Sequence, residues 1–462
     1  MLIFPLLYIS AFLSALKDIF NKNPQGGFIF LIFGLSIYNT TLSILYQAGY
    51  RSFIFLFQPF KEIIILAMLG TMVWHLKERI RPHVIDYAVV AYLVYTGLYV
   101  LLPIGEFGFS ARLLAFKSTS FFALIYCAGR LIDIRTLEIK KYFHFILVLA
   151  IAAAILVLYE SVIDTHFQSL TGYSDYIYDF FGQEPEGNYG LTWTFERAES
   201  GLKRFASFFS DPLEHASAAL LSISVIAGLF TQKNNLFNPS KLGMLAIMAS
   251  LTSVMFSISR SSMASYFLVI YVYAFITDKK YILHGCHILI AAGFIYLGYV
   301  VADKGLYEYI LSTLTLQDAS GLGHVVAWLA GLEAMVSNPL GLGLGASGRV
   351  SGSLGTSIGG ENQFIILGVQ IGIIGVMLYI FIHLTTIIYA YKWFPHLEGK
   401  ERMVALTVFL LKIGISLPLF TANLDSYSYI TYINWFLTGV LVNMIMHKQP
   451  PGDDAPVRNY EP

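Results

Sequence analysis

Thirteen stretches of the chain are continuously apolar over about the length needed to cross a bilayer, roughly 20 residues for a helix. They are drawn at residues 2–16, 27–46, 53–74, 84–103, 111–130, 142–163, 206–230, 242–258, 263–277, 282–301, 363–391, 404–423 and 429–447. Within them apolar residues run unbroken instead of alternating with period two, which excludes a membrane β-barrel. The expectation is an all-α polytopic membrane protein of 12 or 13 transmembrane helices, since the first stretch is short. Only 13% of residues are charged and the mean hydropathy is +0.66. Soluble domains carry nearer a quarter, so an ordinary cytosolic enzyme, a disordered chain and a basic nucleic-acid surface are all excluded.

Residues 1–447 read as a single integral membrane domain, and the Pro-rich stretch 448–462 as a disordered cytoplasmic tail. Cys127 and Cys286 both lie in apolar runs, so neither a disulfide framework nor a zinc pattern is indicated. The opening MLIFPLLYISAFLSAL has no basic n-region and no small-residue cleavage site, and is expected to be the first span.

Short loops give the orientation. Basic residues gather at Lys77, Arg79 and Arg81, at Arg130, Arg135, Lys140 and Lys141, at Lys233 and Lys241, at Lys279 and Lys280, and at Lys392, Lys400 and Arg402. By the positive-inside rule these loops face the cytoplasm, which puts the two long loops, 164–205 and 302–362, outside. The first long loop has seven acidic residues to three basic, and the second five to two. The formal net charge of +0 is therefore a cancellation between an acidic outside and a basic inside. The first loop also holds Tyr173, Tyr176, Tyr178, Tyr189 and Trp193, which serve equally as sugar-stacking rings or as interfacial anchors. The second contains the amphipathic GHVVAWLAGLEAMV, expected to lie along the membrane or re-enter it.

Four patches fall at the expected outer boundary. In Lys203-Arg204-Phe205-Ala206-Ser207-Phe208-Phe209-Ser210-Asp211-Pro212, Arg204 offers a planar fork of donors to a diphosphate, or else anchors a helix end by snorkelling. In Ser257-Ile258-Ser259-Arg260-Ser261-Ser262, an arginine so close to hydrocarbon needs a polar cavity or a partner such as Asp425, with Ser259 as a hydroxyl donor. His324 and Trp328, four residues apart, share a helix face ahead of the run NPLGLGLG. They either line a sugar groove or, for the histidine, make a local hydrogen bond. The GxGxxG within that run lacks the preceding strand of a dinucleotide site, and its glycines fit a sharp membrane-embedded turn. Last, Glu361, Asn362 and Gln363 lead into the helix FIILGVQIGIIGVMLYI, where the carboxylate can act as general base, or all three can simply cap the helix N-terminus. Gly368, Gly372 and Gly375 are expected to serve close helix packing. Lys61, Glu62, Lys117, Glu160 and Lys412 fall within spans, where each needs a polar cavity or mutual pairing and would suit an ion-coupled transporter as well as an enzyme.

The order RFASFFSDP, then SISRSS between two spans, then W-x(9)-NPLGLGLG, then ENQ entering G-x-x-x-G-x-x-G resembles the bacterial O-antigen polymerase and ligase superfamily (Wzy, WaaL and ExoQ-like proteins). The resemblance covers about residues 200 to 380. It implies a GT-C-like, metal-independent glycosyltransferase without cofactor, multi-pass in the bacterial cytoplasmic (inner) membrane and active on its extracytoplasmic side. Its substrates would be undecaprenyl-diphosphate-linked glycans as donor and acceptor, with a chain-length regulator as a further partner and no nucleic acid. Arg204 and Arg260 match the family's arginine positions, and Asn362 the asparagine of a His-Asn pair common in ligases. Glu361 stands where that pair has histidine, and His324 where related chains often have arginine. On this reading Arg204, Arg260 and Glu361 carry the chemistry of a polysaccharide polymerase, while Lys203, Ser259, His324, Trp328 and Asn362 bind substrate. A ligase, and more distantly a transporter, are the rival readings.

Overall fold

A computed structural model describes residues 1–75, 80–197, 201–301, 319–352 and 358–448. Lys77 and Arg79, Glu199, residues 302–318 and 353–357 of the second long loop, and residues 449–462 of the expected tail lie outside the described residues.

Among the described residues the chain is all-α, with no named strand. Nine helices among the described residues are long and apolar enough to cross a membrane, or ten if one bent pair is a single span. The order begins with α1 (Ile3–Phe20), then the bent pair Pro24–Gly34 and Tyr38–Gln47 meeting at 63°, the second limb being α2. There follow α3 (Phe60–Trp74), α4 (Val84–Leu101), α5 (Phe109–Leu131), α6 (Ile139–Ile163) and the short α7 (Tyr173–Phe181). Then come α8 (Pro212–Phe230), α9 (Lys241–Phe256), α10 (Arg260–Ile276), α11 (Lys280–Val301) and α12 (Ala319–Ser337). The chain closes with α13 (Gln363–Trp393), α14 (Gly399–Ser416) and α15 (Ser428–His447). Helices α9 and α10, and the stretch Lys280–Tyr296 of α11, are apolar but shorter and stand where spans were expected, so the described residues hold fewer helices of crossing length than the expected 12 or 13.

Polar residues set the helix starts. Asp211 accepts from the backbone N–H groups of Leu213 and Glu214 at 2.8 and 3.0 Å, with Pro212 at the first helical position of α8. Ser240 caps α9, and His83 with Asp86 forms a capping box on α4. At the centre lie α15 and α8, whose apolar windows are 94% and 89% buried, whereas outer helices keep apolar side chains such as Ile155, Val162 and Met377 exposed. Such outward apolar faces suit lipid. Helices α5 and α15 meet through Gly129 and Gly439. A Cβ on Gly129 would stand 2.0 Å from the Phe436 carbonyl oxygen, and one on Gly439 2.1 Å from that of Tyr126. Only glycine allows that backbone approach.

The packing role expected for Gly372 is corrected. Its φ of 71° and ψ of −176° break α13, in a region of backbone space open essentially to glycine alone. The run Asn338–Ser347 fills the break as a strap. Leu342 N donates to Val369 O at 2.7 Å, Gly343 N to Gln370 O at 3.1 Å, and Ile373 N to Pro339 O at 2.9 Å. The Tyr95 hydroxyl donates to Ile371 O at 2.8 Å and that of Tyr99 to Leu340 O at 2.6 Å. Non-helical backbone is tolerated within a span when other protein groups satisfy it, as here. Gly341, Gly343 and Gly345 all have positive φ, so the glycine run does turn sharply beside an apolar helix. Gly368 keeps its expected role, for a Cβ there would meet the Met335 side chain of α12 at 2.3 Å.

The loops sort to two ends. Lys400 donates to the carbonyls of Ile134 and Arg135, Lys233 pairs with Glu398, Arg402 donates to Asn235 at 2.6 Å, and Lys448 pairs with Glu401 at 2.9 Å. The basic loops between α5 and α6, α8 and α9, and α13 and α14 thus share one end. Arg130, expected in such a loop, is instead buried and held by Asp86 at 3.1 Å.

Candidate functional site

The site forms at the other end, from four segments separated in sequence. The first is Lys203–Asp211. Its entry is a small hairpin in which Arg197 N donates to Leu202 O and Arg204 N to Phe195 O, both at 2.9 Å. It continues alongside the end of α9, where Phe205 N donates to Phe256 O at 3.1 Å and Arg204 Nε to Ser257 O at 2.9 Å. Ser207 turns in left-handed conformation (φ 55°) and its N–H is taken at 2.9 Å by Glu160, which also accepts from Phe167 N at 2.8 Å. Glu160 is therefore a buried brace of the turn after Arg204, which accounts for a carboxylate near the end of α6.

Glu214 performs the same service one turn into α8. It accepts from Ser210 N at 3.1 Å and the Ser210 hydroxyl, and from Tyr429 N at 3.3 Å, tying α8 to the start of α15. Next to it His215 Nδ1 donates to Phe205 O at 3.1 Å, its ring stacked on Phe209.

The second segment is the tight link between α9 and α10. Ile258 has φ 47°, strained for a β-branched residue, and Arg260 is exposed as the first residue of α10. The third is Gly359–Asn362 before α13. A Cβ on Gly360 would meet that of Ala327 at 2.7 Å, and one on Gly359 would stand 3.7 Å from Gly331 Cα, so this turn rests on α12 near His324. The fourth is the turn from Asn423 to Tyr427 before α15.

These segments bring Arg204, Arg260 and Glu361 into one electrostatic neighbourhood. Burial lowers the Arg204 guanidinium below its ordinary value, opposed by Asp211, Tyr427 and Glu361, while Arg260 acts with burial. Burial pushes the Glu361 carboxyl up to about 7; Asp211 adds to the rise and Arg204 opposes it. Glu361 is nonetheless exposed at the surface, where a substrate can reach it.

Other residues singled out in the sequence are placed differently. Asn362 is 5% exposed and caps α13, accepting from Phe364 N at 3.0 Å and Ile365 N at 3.2 Å. The Ser259 side chain is buried and its hydroxyl donates to Ser262 at 3.1 Å. Lys203 pairs with Asp164 at 2.7 Å and lies 4.9 Å from the Tyr189 ring centroid. His324 and Trp328 do share a face, with ring centroids 6.2 Å apart. Trp328 packs with Ile365, Val369 and Met335, its ring more wedge than open platform.

Asp425 does not pair with Arg260. It lies against Tyr379, with Trp435 aimed at it short of hydrogen-bond geometry and Lys412 in its field. Burial raises its carboxyl to about 6. Lys412 Nζ stands 3.9 Å from the Trp435 ring centroid, a cation–π contact for a fully buried ammonium. Beside Asp425 a cavity of about 10 Å³, room for one water, is lined by Ser118, Thr119, Gln363, Gln370 and Asn423. Asp211 and Tyr427 are the site residues that sequence reasoning missed. Asp211 carried a signal, an N-cap before proline, but that signal spoke only of a helix start; Tyr427 carried none.

Comparison of the chain with known protein families and with curated proteins finds no match.

Proposed function

We propose that this chain is a polysaccharide polymerase of the bacterial cytoplasmic membrane, a metal-independent GT-C-type glycosyltransferase working on the outer face. The observation that carries the reading is the gathering of Arg204, Arg260 and Glu361 from three distant segments into one electrostatic neighbourhood. In the reaction, an acceptor hydroxyl oxygen on one lipid-linked repeat unit attacks the anomeric carbon of the growing chain. The bond from that carbon to the diphosphate oxygen breaks, and undecaprenyl diphosphate leaves with the electron pair. Arg204 and Arg260 stabilise the charge that develops on the leaving diphosphate. Glu361, with a pKa near neutrality, accepts the acceptor's proton. His324, close to the Gly359–Gly360 turn, orients a sugar.

Purified protein in proteoliposomes with lipid-linked repeat units is expected to yield product chains without any ion gradient. Arg204→Ala or Arg260→Ala should lower the rate by about 10²–10³-fold, the cost of removing a charge-stabilising donor, while leaving membrane insertion unchanged. Wild-type chain length in both variants overturns the assignment. The ligase reading shares the donor chemistry, and deletion separates the two: loss of a polymerase leaves single repeat units, loss of a ligase leaves long polymer on the carrier lipid. The broken α13, like the charges within spans, would suit a transporter, but the strap Asn338–Ser347 occupies the freed backbone groups that would otherwise coordinate cargo.

A further inference from the structure

A second group of charges adjoins the turn that carries Tyr427. Lys61 and Glu62 open α3, and Lys117 lies in the first half of α5. Lys117 Nζ is 2.8 Å from Glu62 Oε1, and its side chain is 50% exposed although its helix is a candidate span. Lys61 Nζ donates to the hydroxyl of Ser428, the first residue of α15, at 3.2 Å and lies 4.4 Å from the Tyr38 ring centroid. Glu62 is buried, and its second oxygen has no hydrogen-bond partner. Ser428 directly follows Tyr427, which stands in the field of Arg204. The Tyr427–Ser428 step therefore links two cationic groups: Tyr427 lies in the field of Arg204, and Ser428 is hydrogen-bonded to Lys61.

Two ammonium groups and a carboxylate within apolar helices are costly, and such clusters mark paths or sites for polar ligands. On the polymerase reading both substrates are lipid diphosphates held at the membrane surface, but only one diphosphate departs. Arginine's planar fork suits the departing one, whose charge grows and spreads in the transition state. Lysine, a compact point charge on a flexible stem, suits a diphosphate that is held and never cleaved.

We propose that Lys61 and Lys117 form a second anion site that holds the diphosphate of the acceptor lipid, with Glu62 setting the position of Lys117. The identity of the ligand as the acceptor's diphosphate rests on the polymerase reading; the existence of an anion site at Lys61 and Lys117 does not.

The test titrates undecaprenyl diphosphate into the purified full-length protein in nanodiscs of neutral lipid. Wild type is expected to bind two molecules. The triple variant Lys61→Gln, Glu62→Gln, Lys117→Gln, uncharged and similar in size, should bind one, and Arg204→Ala should lose the other. Lys61→Met alone leaves the Glu62–Lys117 pair intact and should weaken the second site about 10-fold, the worth of one charge-assisted contact. With lipid-linked repeat units, the triple variant should lose chain transfer yet retain slow hydrolysis of the donor. Wild type binding fewer than two molecules, or Lys61→Met and the triple variant binding as wild type does, overturns the proposal. Failure of the polymerase reading would look different: two sites titrate and wild type makes no product.

Discussion

Glu361 is where residue-level chemistry is most exposed to test. Its carboxyl is raised to about 7, so below that pH the proton stays on and the group cannot act as base. The rate of chain transfer is expected to rise tenfold per unit as pH climbs toward 7 and to level off above it. Glu361→Gln should remove that rising limb along with most of the rate; a profile unchanged in shape would place the base elsewhere. For stability the sign is the reverse. A carboxyl with a raised folded-state pKa favours the folded state below its unfolded value, and that contribution is lost as pH rises through about 7. Arg204, Arg260 and Glu361 were legible as single residues, because an arginine or a carboxylate at a membrane boundary is expensive. Capping by Asn362 was legible as the alternative at that helix start and is what the side chain does; the contact of Ser259 was not legible, since a hydroxyl contact depends on which way a side chain turns. Asn362→Ala is expected to cost about 1 kcal/mol through the lost cap, read as a lower melting temperature.

At the scale of the element, the break in α13 decides the most. The sequence FIILGVQIGIIGVMLYI has helical spacing and no proline, so nothing local marks Gly372 from Gly368 or Gly375. What distinguishes it is the strap: a Cβ there would stand 2.3 Å from Pro339 O and 2.5 Å from the Leu340 carbonyl carbon. Gly372→Ala is expected to cost at least about 1–3 kcal/mol from backbone strain alone. It should destabilise the detergent-solubilised protein more than Gly375→Ala, whose Cβ meets only the flexible Ile371 side chain. Equal melting temperatures would argue against the break. Gly439→Val should be as damaging, for α5 and α15 touch there through backbone.

Across the whole molecule, the basic loops meet at one end and the Arg204, Arg260 and Glu361 segments at the other. If the positive-inside rule orients the chain, a cysteine at Ser174 in a background lacking Cys127 and Cys286 should react with an impermeant reagent from outside, and one at Lys140 only after permeabilisation. The opposite labelling would place the site in the cytoplasm and remove the lipid-linked substrates from it. The sequence by itself determined that the chain is a bundle of apolar helices, because hydrophobic length is a local property summed along the chain; of the 12 or 13 spans it suggested, nine or ten helices of crossing length stand among the described residues. Only the tertiary structure decided that Gly372 breaks a helix, that Asp425 faces Lys412 instead of Arg260, and that Asp211 and Tyr427 join the site. Those outcomes depend on which distant backbone fills a gap and which distant charge shares a low-dielectric space, and neither is written in the spacing of residues along one segment.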